Sequence, residues 1–260
     1  MASAIERLII QAIRTFSRQK PLSPQSFQNS FSQLKSLADN ITAEDVNLHD
    51  SLAQYNVIRS SAQGAPVTYI EIFENEDVTV GIFVLKPNTR IPLHNHPYMH
   101  GILKVILGTI KIQSYSALPS VQNHTPECLK NNAAGRGDFL FSESLKKQAI
   151  VVSKKLPEAS STSSDGACVL TPNESNLHEI RCVDGPSAFL DILAPPYSSQ
   201  SDESEEVLRV CHYFTEAPRS QIVSDEEFEQ KKDHTWLIQI PCPKEFYCDT
   251  AEYRGPVINL

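Results

Sequence analysis

Two histidines one residue apart, His94 and His96, stand in the segment His94-Asn95-His96-Pro97, and a third, His178, follows in Asn176-Leu177-His178-Glu179-Ile180. Side chains alternate along a strand with period 2, so His94 and His96 leave one face together. A third imidazole from a neighbouring strand completes a facial set of three nitrogens. Such a set suits a divalent metal and leaves open positions opposite the triad. A structural zinc site is normally closed by four protein ligands, whereas this pattern supplies three. His100 is a competing ligand four residues after His96, and His49, His124 and His234 fall in polar or loop-like stretches.

Five further residues could take part in chemistry near this triad. Asp191 interrupts the apolar run Phe189-Leu190-Asp191-Ile192-Leu193. A carboxylate there needs a partner or stays protonated. It either orients a ligand histidine or a substrate amine, or sits at a rim bonded to backbone amides. Tyr197 follows on the stiff Ala194-Pro195-Pro196-Tyr197 turn, as a phenol at a cavity mouth or an aromatic plug. Cys211 and Tyr213, at i and i+2 in Cys211-His212-Tyr213, could be joined oxidatively beside an oxygen-activating metal. The alternative is that Cys211 is a small buried hydrophobe. Arg90, four before His94, shares its strand parity and could bind a carboxylate, or it is a rim residue.

The elements that must position these residues read mainly as strands: Val67–Phe73, Val78–Leu85, Ile102–Gln113, Gln148–Val152, Cys168–Leu170, Leu177–Val183, Ala188–Leu193, Val207–Phe214 and Thr235–Ile240. β-branched and aromatic residues fill them, and Gly, Pro and Asn separate them. Many short strands of this kind predict a double-sheet barrel. Ser114 to Ala134, Leu156 to Gly166 and Ser198 to Glu206 read as polar loops. Ile5, Leu8, Ile9, Ala12, Ile13 and Phe16 fall at helical spacing. They predict a helix laid on the barrel, although a mitochondrial transit peptide has a similar look. Phe31 to Leu48 reads as further helix, with a capping pattern at Thr42 to Asp45. The organisation expected is a helical segment, 1–50, packed on a barrel domain, 51–260, within one structural unit.

Composition narrows the function classes. The 260 residues carry a net charge of −8, without a basic stripe, which argues against nucleic acid and for tolerance of a cationic substrate. No stretch approaches the apolar length of a membrane span. The six cysteines have no scaffold rhythm and no C-x-x-C pair, as expected of reduced thiols in a cytoplasmic protein. A nuclear location is compatible, and a monomer is expected. No Gly-rich nucleotide loop is present.

The flanks of the histidines resemble the two cupin motifs. Gly81-Ile82-Phe83-Val84-Leu85-Lys86 leads to the His pair, and Gly101 falls where most cupins carry a glutamate ligand. Thr171-Pro172 to His178 resembles the second motif, without its glycine. The expected fold is therefore all-β with added N-terminal helices, a cupin double-stranded β-helix (jelly-roll) barrel. A longer set of residues is similar to the animal 2-aminoethanethiol (cysteamine) dioxygenase family. It comprises His94-Asn95-His96-Pro97 with Met99-His100-Gly101, Asn176-Leu177-His178, Phe189-Leu190-Asp191-Ile192-Leu193-Ala194-Pro195-Pro196-Tyr197 and Cys211-His212-Tyr213. Leu34-Lys35-Ser36-Leu37, Ala43-Glu44-Asp45-Val46-Asn47 and Pro66-Val67-Thr68-Tyr69 extend it upstream. Asn95 stands where that family more commonly has Asp.

The resemblance implies a non-haem Fe(II) thiol dioxygenase in which His94, His96 and His178 hold the iron. Such an enzyme adds both atoms of O2 to a thiol and gives a sulfinic acid. The substrates implied are cysteamine, giving hypotaurine, and protein N-terminal cysteine, whose oxidation feeds the arginine N-degron pathway in an oxygen-dependent manner. Plant cysteine oxidases are more distant relatives by the same comparison. Two rival classes are a Zn- or Mn-dependent cupin isomerase and a non-catalytic cupin binding module.

Overall fold

A computed structural model describes residues 2–49, 64–118, 149–198, 209–217 and 233–260. These residues form helices α1 (Ala4–Phe16) and α2 (Pro24–Asp39), a 3-10 turn (Glu44–Val46) and strands β1 (Val67–Glu74), β2 (Thr79–Leu85), β3 (Arg90–Asn95), β4 (His100–Leu107), β5 (Thr109–Ala117), β6 (Ile150–Lys155), β7 (Ala159–Thr162), β8 (Cys168–Leu170), β9 (Leu177–Cys182), β10 (Ser187–Ala194), β11 (Tyr213–Glu216), β12 (His234–Ile240) and β13 (Cys248–Ala251). Among the described residues the strands make a six-stranded sheet, β13-β1-β2-β10-β4-β8, and a seven-stranded sheet, β6-β12-β11-β3-β9-β5-β7. From β2 to β5 and again from β8 to β11 the chain alternates between the two sheets. That winding is the cupin double-stranded β-helix.

Gly108 shows how the chain changes sheets. The apolar run expected as one strand over Ile102–Gln113 is cut there into β4 and β5, because Gly108 has φ +68, a left-handed conformation that glycine adopts at little cost. A side chain at Gly108 would also meet the Pro186 carbonyl at 2.5 Å.

The six-stranded sheet is buried on both faces, which explains why β10 is buried at seven of its eight positions. Its inner face carries Val67, Leu85, Leu103, Val105 and Phe189, packed against Ile91, Ile110, Ile112 and Ile180 of the opposite sheet. Its outer face carries Ile70, Val80, Ile82, Val84, Ile102, Leu190 and Ile192 and is covered by the helices. Helix α1 supplies Ile5, Leu8, Ile9 and Ala12, all without accessible surface, from the stripe the spacing predicted. Ser3 and Glu6 form a reciprocal capping box at its start, and the Arg18 guanidinium beyond its end pairs with the buried Asp77 at 3.0 Å.

Several expectations need correction. Helix α2 starts at Pro24, capped by Ser23, and stops at Asp39. Phe31 to Leu48 is therefore not one helix. The capping pattern is present, with the Thr42 amide donating to Asp45 Oδ2 at 2.9 Å and the Asp45 amide to Thr42 Oγ1 at 3.4 Å, but it opens the 3-10 turn. Strand β7 lies inside the expected Leu156–Gly166 loop, and β13 lies in the C-terminal tail, paired parallel to β1. Strand β11 begins at Tyr213, so Cys211 precedes it. Most of the Ser114–Ala134 and Ser198–Glu206 segments lies outside the described residues. No helix among the described residues is long and apolar enough to cross a membrane.

Candidate metal centre

Strand β3 carries His94, with His96 just past its end; the sequence places the two histidines on a strand but gives that strand no bounds. Pro92 interrupts its pattern, and the β3–β9 register slips between Ile91 and His94. The slip adds one residue, as a bulge does, so Ile91 and His94, three apart, share the inner face. Pro92 is tolerated at such a bulge because it has no amide to donate to the ladder. The same slip turns Arg90 outward. Arg90 pairs with Glu179 at 3.2 Å and Glu245 at 3.9 Å on the outer surface, so it is not a carboxylate clamp beside the triad.

His94 lies directly opposite His178 on β9 and opposite Tyr213 on β11. His178 in turn lies opposite Ser114 on β5. Residues in register across a sheet share a face, so Tyr213, His94, His178 and Ser114 form one interior row. His96 lies just past the end of β3, held by its amide donating to the Asn176 carbonyl at 2.7 Å. The three imidazoles are buried and bring one ligand nitrogen each to within 4.8 Å of one another.

The outer ring nitrogens are already engaged. His94 Nδ1 lies 2.8 Å from the Pro92 carbonyl, which fixes it as the protonated nitrogen and leaves Nε2 with its lone pair. The Tyr197 hydroxyl donates to the Asn95 carbonyl at 2.7 Å and lies 3.0 Å from His96 Nδ1, so it accepts that proton. His96 Nε2 and His178 Nε2 stand 3.2 Å apart. A proton or a cation shared between them holds two nitrogens at that distance. Nitrogens about 2.1 Å from one ion at right angles would be about 3.0 Å apart. Burial also holds His94 down to about 4 and His96 and His178 well below the ordinary imidazole range. All three are neutral at pH 7, the form that binds metals. The donor set fits a divalent metal.

His100 is not a ligand. It faces outward, with ring centroids 5.2–5.9 Å from Phe16, Phe27 and Phe31. Gly101 faces inward instead, where a Cβ would meet Leu170 Cγ at 2.8 Å. Leu170 and Leu193 leave that position without room for a fourth protein ligand. Beside the triad a cavity of about 240 Å³ is lined by Gly101, Leu103, Ser114, Cys168, Leu170 and His178.

Asp191 lies opposite Gly81 on β2 and Leu103 on β4, on the inner face. It is half-buried by accessible surface, with dense protein around it. Among the described residues its carboxylate accepts only from the Ile192 amide. Burial raises it to about 7, against that one stabilising amide. The Tyr69 ring covers Gly81, filling the space a Cβ would need. Burial, with the Asp191 charge as a lesser cause, pushes the Tyr69 hydroxyl to about 12. Tyr197 is raised chiefly by burial too, with Cys211 and Asp191 adding to it. Cys211 hydrogen-bonds with the Tyr197 and Tyr213 hydroxyls, and burial raises its thiol.

Of the residues singled out in the sequence, His94, His96 and His178 converge, Tyr197 touches His96, Tyr213 lies opposite His94, Cys211 lies beside Tyr197 and Tyr213, and Asp191 acts electrostatically on Tyr197, whereas Arg90 and His100 face away. The sequence reading missed Tyr69, Gly81 and Cys242, which joins Tyr213 in a hydrogen bond. A lone glycine within a strand signals close approach of another group, which is the role of Gly81. Cys242 has no comparable signal, because its position depends on the β11–β12 register.

The PCO_ADO family model matches residues 37–258. A 2-aminoethanethiol dioxygenase of Mus musculus is 36% identical over 266 residues, covering 99% of this chain and 97% of the relative. The Homo sapiens 2-aminoethanethiol dioxygenase is 33% identical over 276 residues, with the same coverage of 99% and 97%. Plant cysteine oxidase 1 of Arabidopsis thaliana is 26% identical over 267 residues, covering 99% of this chain and 81% of the relative. Similarity of this extent, over a chain whose three buried histidines converge, places the protein: it belongs to the PCO_ADO family.

Proposed function

We propose that the protein is a thiol dioxygenase that uses Fe(II), held by His94, His96 and His178, to add both atoms of O2 to a thiol that carries a nearby free amine. The observation that carries this reading is the convergence of three buried, neutral imidazoles, with no fourth protein ligand among the described residues, in a chain that belongs to this family. Bound iron would supply the redox chemistry that joins oxygen to sulfur, and sulfur itself supplies the four electrons, so no second cofactor is required.

The chain's own residues do the rest. His94 is oriented by the Pro92 carbonyl, and His96 by the Tyr197 hydroxyl. Such partners fix ring orientation and raise ligand basicity. The cavity beside His178 receives a small thiol, and its apolar wall displaces water from the reacting sulfur. Asp191, without a cationic partner among the described residues, would pair with the substrate ammonium. Cys211 and Tyr213 line the same end of the barrel, and their oxidative joining would fix the Tyr213 ring beside His94.

Cysteamine and peptides that begin with cysteine both present a thiol two carbons from an amine without an obligatory free carboxylate. Cysteamine would give hypotaurine. Oxidation of a protein N-terminal cysteine would make its turnover through the arginine N-degron pathway oxygen-dependent. Arg90 is engaged by glutamates on the outer surface and offers nothing to a substrate carboxylate. The described cysteines are all free, in keeping with a reducing cytoplasm. Rates for cysteamine, free cysteine and a Cys-initiated peptide, measured at equal concentration, test the substrate class. Cysteamine and the peptide should outpace free cysteine, and the reverse order would overturn the amine-without-carboxylate reading.

A further inference from the structure

The last in-register pair of strands β11 and β12 is Tyr213 with Ile240. Continued two residues past the ends of both strands, that antiparallel register would set Cys211 opposite Cys242. The step of two returns both to the face of Tyr213, the interior row that holds His94. Side-chain contacts agree with this placement. Both thiols lie within electrostatic reach of the Tyr213 hydroxyl and of each other, and the Cys242 thiol also faces the Pro243 and Phe246 carbonyls at 3.8 Å. The two cysteines thus flank one phenol at the open end of the barrel.

We propose that Cys211 and Cys242 are a modification site, a cross-strand thiol pair that closes reversibly to a disulfide. In-register cross-strand residues have Cα atoms about 4.5–5.5 Å apart, inside the span of about 4.4–6.8 Å that a disulfide bridges. Pro241 and Pro243 flank Cys242 and restrict its backbone, and the Phe246 amide closes the following turn on the Pro243 carbonyl at 3.0 Å, so little order remains to be imposed. The pair is asymmetric, because Cys242 is exposed and Cys211 is half-buried.

The chemistry needs a small-molecule disulfide as oxidant, of which glutathione disulfide is an example. The exposed Cys242 thiolate attacks one glutathione sulfur, a mixed disulfide forms, and one glutathione thiolate leaves. Cys211 loses its proton to solvent and attacks the Cys242 sulfur, and the second glutathione leaves. Two protein thiols are oxidised and one glutathione disulfide is reduced to two glutathiones. The bond removes the Cys211 thiol from the Tyr197 and Tyr213 hydroxyls and ties β11 to β12 next to His94. It also excludes a Cys211–Tyr213 thioether, since both need the same sulfur.

The test is a peptide map of the iron-loaded protein, equilibrated without oxygen in glutathione buffers of rising disulfide fraction, alkylated and digested with trypsin. Cleavage after arginine and lysine places Cys211 in peptide 210–219 and Cys242 in peptide 233–244. The expected result is that these peptides go from wholly separate to mostly linked as the buffer becomes oxidising, that dithiothreitol separates them, and that Cys242→Ser leaves Cys211 alkylated throughout while melting like the unaltered protein. Three results would overturn the proposal: glutathione remaining on Cys242 with Cys211 alkylated, Cys211 linked to a different cysteine, or a reductant-resistant modification confined to 210–219. The map reads the bond independently of whether thiol oxidation is the chain's activity.

Discussion

Asp191 carries the clearest pH signature. An ordinary aspartate titrates near 3.9, and burial raises this one to about 7. The folded state therefore binds its proton more tightly than the unfolded chain. The stabilisation this provides is complete below about pH 4 and is lost as pH rises through about 7. Asp191→Asn removes the buried charge, so its melting temperature should exceed the unaltered protein's at pH 8, by about 1–3 kcal/mol of stability, and match it near pH 4. In kcat/KM for cysteamine the unaltered protein should show a limb that rises through about pH 7 as the carboxylate forms. The variant should lose that limb and keep its iron. Parallel melting curves and parallel pH profiles would remove the role. Tyr197 acts one step further out. Tyr197→Phe deletes the hydroxyl 3.0 Å from His96 Nδ1 and should weaken metal affinity by about 10–100-fold, read by competitive metal titration. Unchanged affinity would make Tyr197 a packing residue only.

At the scale of elements, the helices act on the outer face of the six-stranded sheet while the histidines lie inside the barrel. Ile9 has no accessible surface in the core between α1 and that sheet. Ile9→Ala should cost about 2–5 kcal/mol in urea unfolding, with metal content unchanged. The helical stripe and most strands were legible in the sequence because each obeys one periodicity throughout. The strand bearing His94 was not, because Pro92 and the extra residue between Ile91 and His94 break the period of two. The same break removes the parity argument that left open a place for Arg90 beside the triad, and the rim alternative holds. The split at Gly108 was hidden because the residues on both sides are equally apolar, and only the backbone turn separates them. The histidine ligands and Asp191 could be singled out because a polar residue in an apolar run is conspicuous. Their supporting groups, the Pro92 carbonyl and the Tyr69 ring, could not, because their roles come from the register between strands.

The whole molecule presents an acidic surface of net charge −8, and its outer sheet carries paired charges rather than a single-sign patch. Arg181 joins Glu158 and Glu179, and Lys155 joins Glu216 at 2.6 Å. These pairs occupy cations that could otherwise hold a substrate carboxylate. The proposed cationic thiol would then meet a carboxylate at Asp191 and a small cavity beside His178. The most direct measurement of this account is oxidation of cysteamine by the iron-loaded protein under ¹⁸O2, with mass spectrometry of the product, beside His178→Ala. The account predicts a sulfinic acid in which both added oxygens carry the label, and loss of turnover and of bound iron in the variant. Product oxygen drawn from water, or full iron and activity in His178→Ala, would contradict it.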